Sequence, residues 1–391
     1  MSYRKFKADN IFTGYKLLDS DHVLISDEEG KIIEITGTKE AGDDIETYSG
    51  ILSPGFINTH CHLELSHLKG IIPKHTGLAD FVLKVITGRH TEEEVILEAI
   101  NQAEDEMIRN GIVAVGDICN NELTIPQKIK NRLSYHNFIE VSGFPPAVMK
   151  ERFNRSAVIL ENYLKKLPAS KSTLSPHAPY STSTQLFEMI SRNSRGQLLT
   201  MHNQETAEEN KLFKEGSGDL LRLYKELGID ISFFKPGGKS SLQTVMPYID
   251  DKQSVILVHN VHSSREDIEF AASLPLDITW CLCPNANLYI NNELPDVDQF
   301  VAGECNIVLG TDSLASNHQL NIMQEVKTIQ AYFPHIELAT ILQWATINGA
   351  RTLGMEDLFG SFEKGKMPGV LVLQGRAQLY AGHSSEIKRL I

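Results

Sequence analysis

The sequence predicts an α/β fold, a (β/α)8 or TIM barrel carrying a small β-sandwich assembled from both chain ends. Eight short apolar runs recur through residues 54–359, helical patterns separate many of them, and both ends of the chain are rich in strand signals. Strands that alternate with helices pair in parallel, and eight such units over about 300 residues match a barrel of this kind.

Taken in order, Val23–Ser26 and Lys31–Ile35 flank Asp27-Glu28-Glu29-Gly30, which reads as a hairpin. The run entered at Ile51 then ends in Asn58-Thr59-His60-Cys61-His62. Gly111–Ile118 follows a helix-like pattern over 93–110. The later runs are Tyr135–Val141, Thr173–His177, Leu198–Asn203, Val255–Asn260, Ile278–Pro284 and Ile307–Asp312. Amphipathic helices are expected over 207–227 and 336–353. Gly369–Leu373 returns to strand character, so residues 1–53 plus 360–391 are expected to form the sandwich and 54–359 the barrel.

Of 391 residues, 41% are hydrophobic and 22% charged, an ordinary globular balance with a substantial core. The net charge of -13 argues against nucleic acid or an anionic membrane as partner and leaves a small-molecule substrate. No apolar run reaches the ~18 residues of a membrane-spanning helix. The basic start Met1–Lys7 leads into no signal-peptide core. Five cysteines, an odd number, then suggest a reduced, cytoplasmic protein.

The histidines give the ends of the runs their meaning. Residues i and i+2 of a strand share a face, so His60 and His62 can reach one ion. In such a barrel the chemistry sits at the C-terminal ends of the strands. His177, His202, His259, Cys283 and Asp312 all close their runs. Three imidazoles and a carboxylate suit one borderline-soft divalent ion and leave a position open, which assigns His60, His62, His202 and Asp312. Such an ion activates water near neutral pH, and Asp312 can take up the proton released.

Glu205, three residues past His202, stands where a general acid is needed; its alternative is a first-turn helix acid favoured by the macrodipole. His259 can orient the water and shuttle its proton, whereas His262 reads as packing. His177 reads either as a substrate contact or as a buried structural histidine. Lys171 comes too early in its run to bridge two metals, so one metal is expected. Cys281-Leu282-Cys283 lacks metal-pair spacing. Pro236–Ser240 imitates the end of a P-loop, but Phe233 stands where its first glycine belongs. The cytidine-deaminase zinc pattern is absent.

Ser53–His62, Leu68-Lys69-Gly70, Ser175–Tyr180, His202–Glu205, His259–His262, Cys283–Asn287, Gly310–Asn317 and Gly360–Lys366 carry a resemblance over nearly the whole chain. In order and spacing it resembles the amidohydrolase superfamily, in the branch of mononuclear aminohydrolases. That branch groups S-adenosylhomocysteine/adenosine deaminases, guanine deaminases and triazine hydrolases. The resemblance implies a distorted barrel with Zn, alternatively Fe, on His60, His62, His202 and Asp312, and Glu205 and His259 for proton transfer. It adds His177, Ser313 and Glu64 as substrate-binding candidates and a homo-oligomer by analogy.

The implied reaction is hydrolytic loss of ammonia from an amino-substituted N-heterocycle. An adenine-bearing nucleoside of the 6-aminodeoxyfutalosine, adenosine or S-adenosylhomocysteine class is expected. Alternatives on the same site are a guanine/cytosine-type base deaminase, a triazine chloro- or aminohydrolase, and a cyclic amidase. His62-Leu63-Glu64-Leu65-Ser66 is similar to members acting on 6-aminodeoxyfutalosine. The loop from Ile71 to Leu78 lacks the acid that adenosine-type members use for ribose. Lys69, Lys74 and Lys84 read as a solvated face, or as contacts to a substrate carboxylate. A non-catalytic scaffold would lack metal ligands, and here none is missing.

Overall fold

The computed structural model describes residues 2–374 and 387–391; residues 375–386 of the expected C-terminal unit lie outside the described residues. The eight apolar runs become eight strands in two four-stranded parallel sheets. One holds Phe56–Cys61, Ile112–Cys119, Ser134–Val141 and Lys171–Pro176 as neighbours in chain order. The other holds Leu198–Asn203, Ser254–His259, Asp277–Leu282 and Asn306–Leu309. The first two strands are buried at every residue, which is why they read as near-continuous apolar runs.

The two sheets meet at both edges. The His202 N–H donates to the His177 carbonyl at 2.9 Å, linking the fourth and fifth strands. The Thr311 and Asp312 N–H groups both donate to the His60 carbonyl at 3.1 Å, linking the eighth to the first. His60, His202, His259 and Asp312 therefore sit at one end of the strands.

The helix Glu93–Arg109 follows its expected span and buries Ile96, Ile100, Ala103 and Met107, one face of a 3.6-residue repeat. Two expected helices are interrupted. The first splits into Ala207–Glu215 and Leu220–Glu226, because Gly216 caps the first piece in the left-handed region at φ 69° and Gly218 follows at φ 100°. The second becomes Leu338–Trp344 and Ile347–Thr352, broken at Thr346, whose backbone (φ -134°, ψ -92°) is not helical. Apolar periodicity runs through both breaks, since both pieces of each pair bury apolar residues: Leu212 and Phe213 with Leu220 and Leu223 in the first, Leu338, Ile341 and Leu342 with Ile347 in the second.

The chain ends form two further sheets. Ile32–Gly37, His22–Asp27, Tyr3–Lys7 and Ile45–Thr47 make one, with the expected hairpin antiparallel. Ile387–Arg389, Leu371–Leu373, Ile51–Ser53, Asn10–Phe12 and Leu17–Leu18 make the other. Phe6, Leu24, Ile11, Leu52 and Val372, drawn from both sheets, share one apolar cluster. Among the described residues no helix is long and apolar enough to cross a membrane.

Candidate active site

His60 lies inside the first strand and His62 one residue past its end, so both rings reach the same space, 4.9 Å apart between centroids. The chain is pinned on either side of them. Asn58 Nδ2 donates to Thr311 Oγ1 at 2.8 Å, and the Thr311 N–H returns to Asn58 Oδ1 at 3.0 Å. Beyond His62, the Leu63 N–H donates to Asp117 Oδ1 at 2.8 Å. Gly310 lets the eighth strand approach: a Cβ there would lie 2.8 Å from the His60 Cβ.

Asp117 is held in turn by Lys128, whose Nζ lies 2.5 Å from Asp117 Oδ2 and 2.7 Å from Asn137 Oδ1, with both charged side chains fully buried. Removing one partner of a buried ion pair leaves an uncompensated charge. Lys128→Met is therefore expected to cost about 3–5 kcal/mol in chemical denaturation. An unchanged unfolding midpoint would contradict this.

Asp312 follows the eighth strand in the left-handed region at φ 56°, a conformation unfavourable for a residue with a Cβ. Gln204, His259 and Asn260 share it (φ 46°, 77° and 59°). Strain of this kind persists where the surroundings over-determine it, commonly at functional sites. Ser316 Oγ donates to Asp312 Oδ2 at 2.5 Å, leaving Oδ1 3.6 Å from His60 Nε2 and 3.4 Å from His62 Nε2. His202 brings its ring centroid 5.0 Å from that of His60.

The four side chains fit a divalent cation. One ligand atom from each of His60, His62 and His202 lies within 4.8 Å of the others, as does one from each of His60, His259 and Asp312. Both ring nitrogens of His60, and Nε2 of His202, are buried without a hydrogen-bond partner, as expected of atoms that await an ion. Burial pushes His62 down to about 3 and lowers His60, so both rings are neutral and offer lone pairs. Burial opposes the Asp312 anion, but His60 and the neighbouring His62 and His259 hold its carboxyl well below the ordinary range.

Glu205 and His259 flank this cluster. Burial pushes the Glu205 carboxyl up to about 8, against the pull of His202. Its Oε1 lies 3.7 Å from His259 Nε2, which is 3.1 Å from His202 Nδ1. Asn287 Nδ2 donates to His259 Nδ1 at 3.0 Å, which fixes the ring and places its proton on Nε2. Burial keeps His259 neutral. On the opposite side of His202 stands Glu140, with Oε1 3.7 Å from His202 Nε2 and Oε2 accepting from Asn120 Nδ2 at 2.8 Å. His177 is part of this group, 5.0 Å from His202 between ring centroids. Its Nδ1 bonds Ser181 Oγ, whose hydroxyl donates to the Ala178 carbonyl, so Nδ1 carries the proton and Nε2 an open lone pair.

The structure thus gathers His60, His62, His202, Asp312, Glu205, His259 and His177 at one point. Glu64 is buried nearby, accepting from the Asn120 N–H at 2.9 Å and lying 3.6 Å from Arg89; burial pushes it up to about 7. Ser313 is buried and bonds Ser316 at 3.1 Å. His262 stays outside, against Glu293. Lys171 opens its strand and bonds the Gly354 carbonyl. Ser240, the last residue of the P-loop look-alike, caps a short helix at Ser241–Val245.

Glu140 escaped the sequence reading, although a carboxylate inside the largely buried strand Ser134–Val141 was its signal. Beside Glu140 and Asn120 opens a cavity of ≈ 410 Å³ flanked by Arg89, Arg152 and Arg155. Neither Arg152 nor Arg155 has an acidic partner among the described residues.

A parallel α/β scaffold with strand-end histidines and an aspartate defines a class of metal-dependent hydrolase, and comparison agrees. The model of the amidohydrolase family matches residues 51–385, and the chain belongs to that family. A 5-methylthioadenosine/S-adenosylhomocysteine deaminase of Thermococcus onnurineus is 26% identical over 353 residues, covering 84% of this chain and 76% of the relative. An aminodeoxyfutalosine deaminase of Deinococcus radiodurans is 26% identical over 323 residues, covering 79% and 75%. In fold, the chain is similar to Helicobacter pylori aminofutalosine deaminase in complex with methylthio-coformycin, with a TM-score of 0.81, 22% identity, and 99% and 100% of the two chains covered.

Proposed function

We propose that this protein is a metal-dependent aminohydrolase that removes ammonia from an adenine-bearing nucleoside. The observation that carries the proposal is the meeting of His60, His62, His202 and Asp312 beside the buried, proton-bearing Glu205. The deaminases named above supply the substrate class. In this reading the eight strands close into a distorted (β/α)8 barrel over 54–359, and the terminal sheets stack as a sandwich from 1–53 and 360–391. The hydrogen bonds joining the two sheets at both edges support that closure.

His60, His62, His202 and Asp312 would hold the ion, Zn by preference for this donor set. When bound, such an ion supplies Lewis acidity that brings water toward ionisation near neutral pH. Asp312 accepts a proton from the attacking water, and His259, its proton fixed on Nε2, orients that water. As the water oxygen adds to the amino-bearing carbon, Glu205 gives its proton to the adjacent ring nitrogen. Asp312 then passes its proton to the amino group, ammonia departs, and the hydroxyl proton returns to Glu205, leaving a ring carbonyl. His177 Nε2 and Glu140 Oε1 are acceptors and suit hydroxyl donors on the substrate. Ser313 backs Asp312 through Ser316, and Glu64 steadies Asn120 at the rim. The cysteines are free and all but Cys305 are buried, which suits a reducing, cytoplasmic setting.

Ammonia release measured across adenine nucleosides, guanine, cytosine and aminotriazines tests the proposal. Adenine nucleosides are expected to lead by at least about 100-fold in kcat/KM. Preference for guanine or a triazine would overturn it.

The arginine-flanked cavity favours an adenine nucleoside that carries an anionic group at its far end. Arg152→Met is expected to raise KM for a carboxylate-bearing adenine nucleoside about tenfold, the weight of one charge-assisted hydrogen bond, and to leave KM for adenosine unchanged. Equal effects on both substrates would place the anion elsewhere.

A further inference from the structure

We infer that Gln204 is a positioning residue, turning the chain so that Glu205 faces the same space as His202. In an unbroken strand, positions 202 and 205 would point to opposite faces, because side chains alternate. Gln204 breaks that alternation by adopting φ 46°, and its side chain, fully buried, holds the break in place.

Every polar group of Gln204 is used. Its N–H donates to Glu209 Oε1 at 3.1 Å, and its carbonyl accepts from the His262 N–H at 2.9 Å. Nε2 donates to Asp267 Oδ2 at 2.9 Å and to Asn210 Oδ1 at 3.2 Å. Oε1 accepts from Ser263 Oγ at 2.6 Å and from Asn203 Nδ2 at 3.3 Å. No donor or acceptor remains for a substrate, so Gln204 acts only through its neighbours.

Those neighbours reach the other half of the proton-transfer pair. Ser263 and His262 follow the sixth strand, whose last residue is His259. Asp267 is fixed independently: its Oδ1 accepts from Ser240 Oγ at 2.5 Å, and with Ser264 it forms the capping box of the helix Arg265–Ser273. The Asn260 N–H donates to the Asn203 carbonyl at 3.0 Å. Gln204 therefore ties the turn that carries Glu205 to the turn that follows His259, and sets the spacing between the two. A fully satisfied buried network of this kind specifies one geometry.

This inference rests on Glu205 being the proton donor. The test is Gln204→Met, which keeps length and volume and removes the network, beside Gln204→Gly, which also accepts a positive φ. Both are expected to lower kcat about 100-fold, as for misplacement of a reacting group by about 1 Å, with KM within about threefold and bound metal per chain unchanged. A kcat near that of the natural chain in Gln204→Met, or a fall in metal content parallel to the fall in kcat, would overturn the inference. If Gln204→Met is insoluble, Ser263→Ala removes one bond to Oε1 and is expected to give the same split between kcat and KM on a smaller scale; an unaltered kcat there would also overturn it. Glu205→Gln separates the two readings. If that variant turns over normally the donor assignment fails, whereas an inactive Glu205→Gln beside a fully active Gln204→Met defeats only the role of Gln204.

Discussion

Glu205→Gln is expected to lower kcat by about 10²–10⁴-fold while the chain keeps its metal and its KM. Glutamine matches the shape of a protonated carboxyl and can still donate a hydrogen bond, but it cannot release a proton to a ring nitrogen. None of the four proposed ligands is altered, so the metal content measured after gel filtration should match that of the natural chain. The direction of the Glu205 shift makes the assignment specific. Burial raises the carboxyl to about 8, so near neutral pH it carries its proton, as a donor must. The sign follows: the acid is competent below its pKa and lost above it, so activity falls as pH rises through about 8. A bound cation would draw that limb to lower pH, since positive charge favours the carboxylate. Near-natural turnover in Glu205→Gln would remove this residue from the mechanism.

The parts of the site legible in the sequence share one property: each lies at the end of an apolar run. His60 and His62 were readable because strand alternation is strict and their run is buried throughout. His202, His259 and Asp312 followed from the same rule, as strand ends on a parallel sheet share one side. Glu140 obeys it too, but it sits among apolar neighbours one residue before its strand ends and resembles an ordinary strand residue until His202 is placed beside it. Long-range partners carry even less local signal. Lys128 and Asp117 come from a short helix and a strand, and nothing in either segment announces the other. The arginine-flanked cavity combines Arg89 with Arg152 and Arg155 from a helix distant in sequence. The broken helices were misread because apolar periodicity reports which face is buried, whereas Gly216 and Gly218 decide where the helix stops. Positive φ at Gln204, His259, Asn260 and Asp312 had no warning either, because none of these is a glycine.

Removing the divalent ion is expected to abolish turnover, and the ion's affinity should depend steeply on pH because of one ligand. In the metal-free chain burial lowers His202, but Glu140 outweighs it and raises the ring to about 8. A ligating imidazole has to be neutral, so binding an ion near neutral pH expels the His202 proton. The sign is therefore fixed: below about 8 the apparent affinity should fall about tenfold for each unit of acidification, and above about 8 this dependence should vanish. His62, pushed down to about 3, adds nothing to the slope until far more acidic solutions, and burial lowers His60 in the same direction. Glu140→Gln gives an internal check. Without the carboxylate 3.7 Å away, His202 loses the largest support for its proton, and burial lowers it against the smaller pull of Glu205 and Asp312. That variant should bind zinc with a much flatter dependence between pH 6 and about 8, in competition with a chromophoric chelator. Asp312→Asn, by contrast, removes the anionic member of the proposed ligand set and the proposed proton acceptor together, so both affinity and kcat should collapse at every pH. An Asp312→Asn chain that retained metal and turnover would place the ion elsewhere; a natural chain whose zinc affinity ignored pH would mean that His202 never carries the proton that Glu140 is positioned to hold.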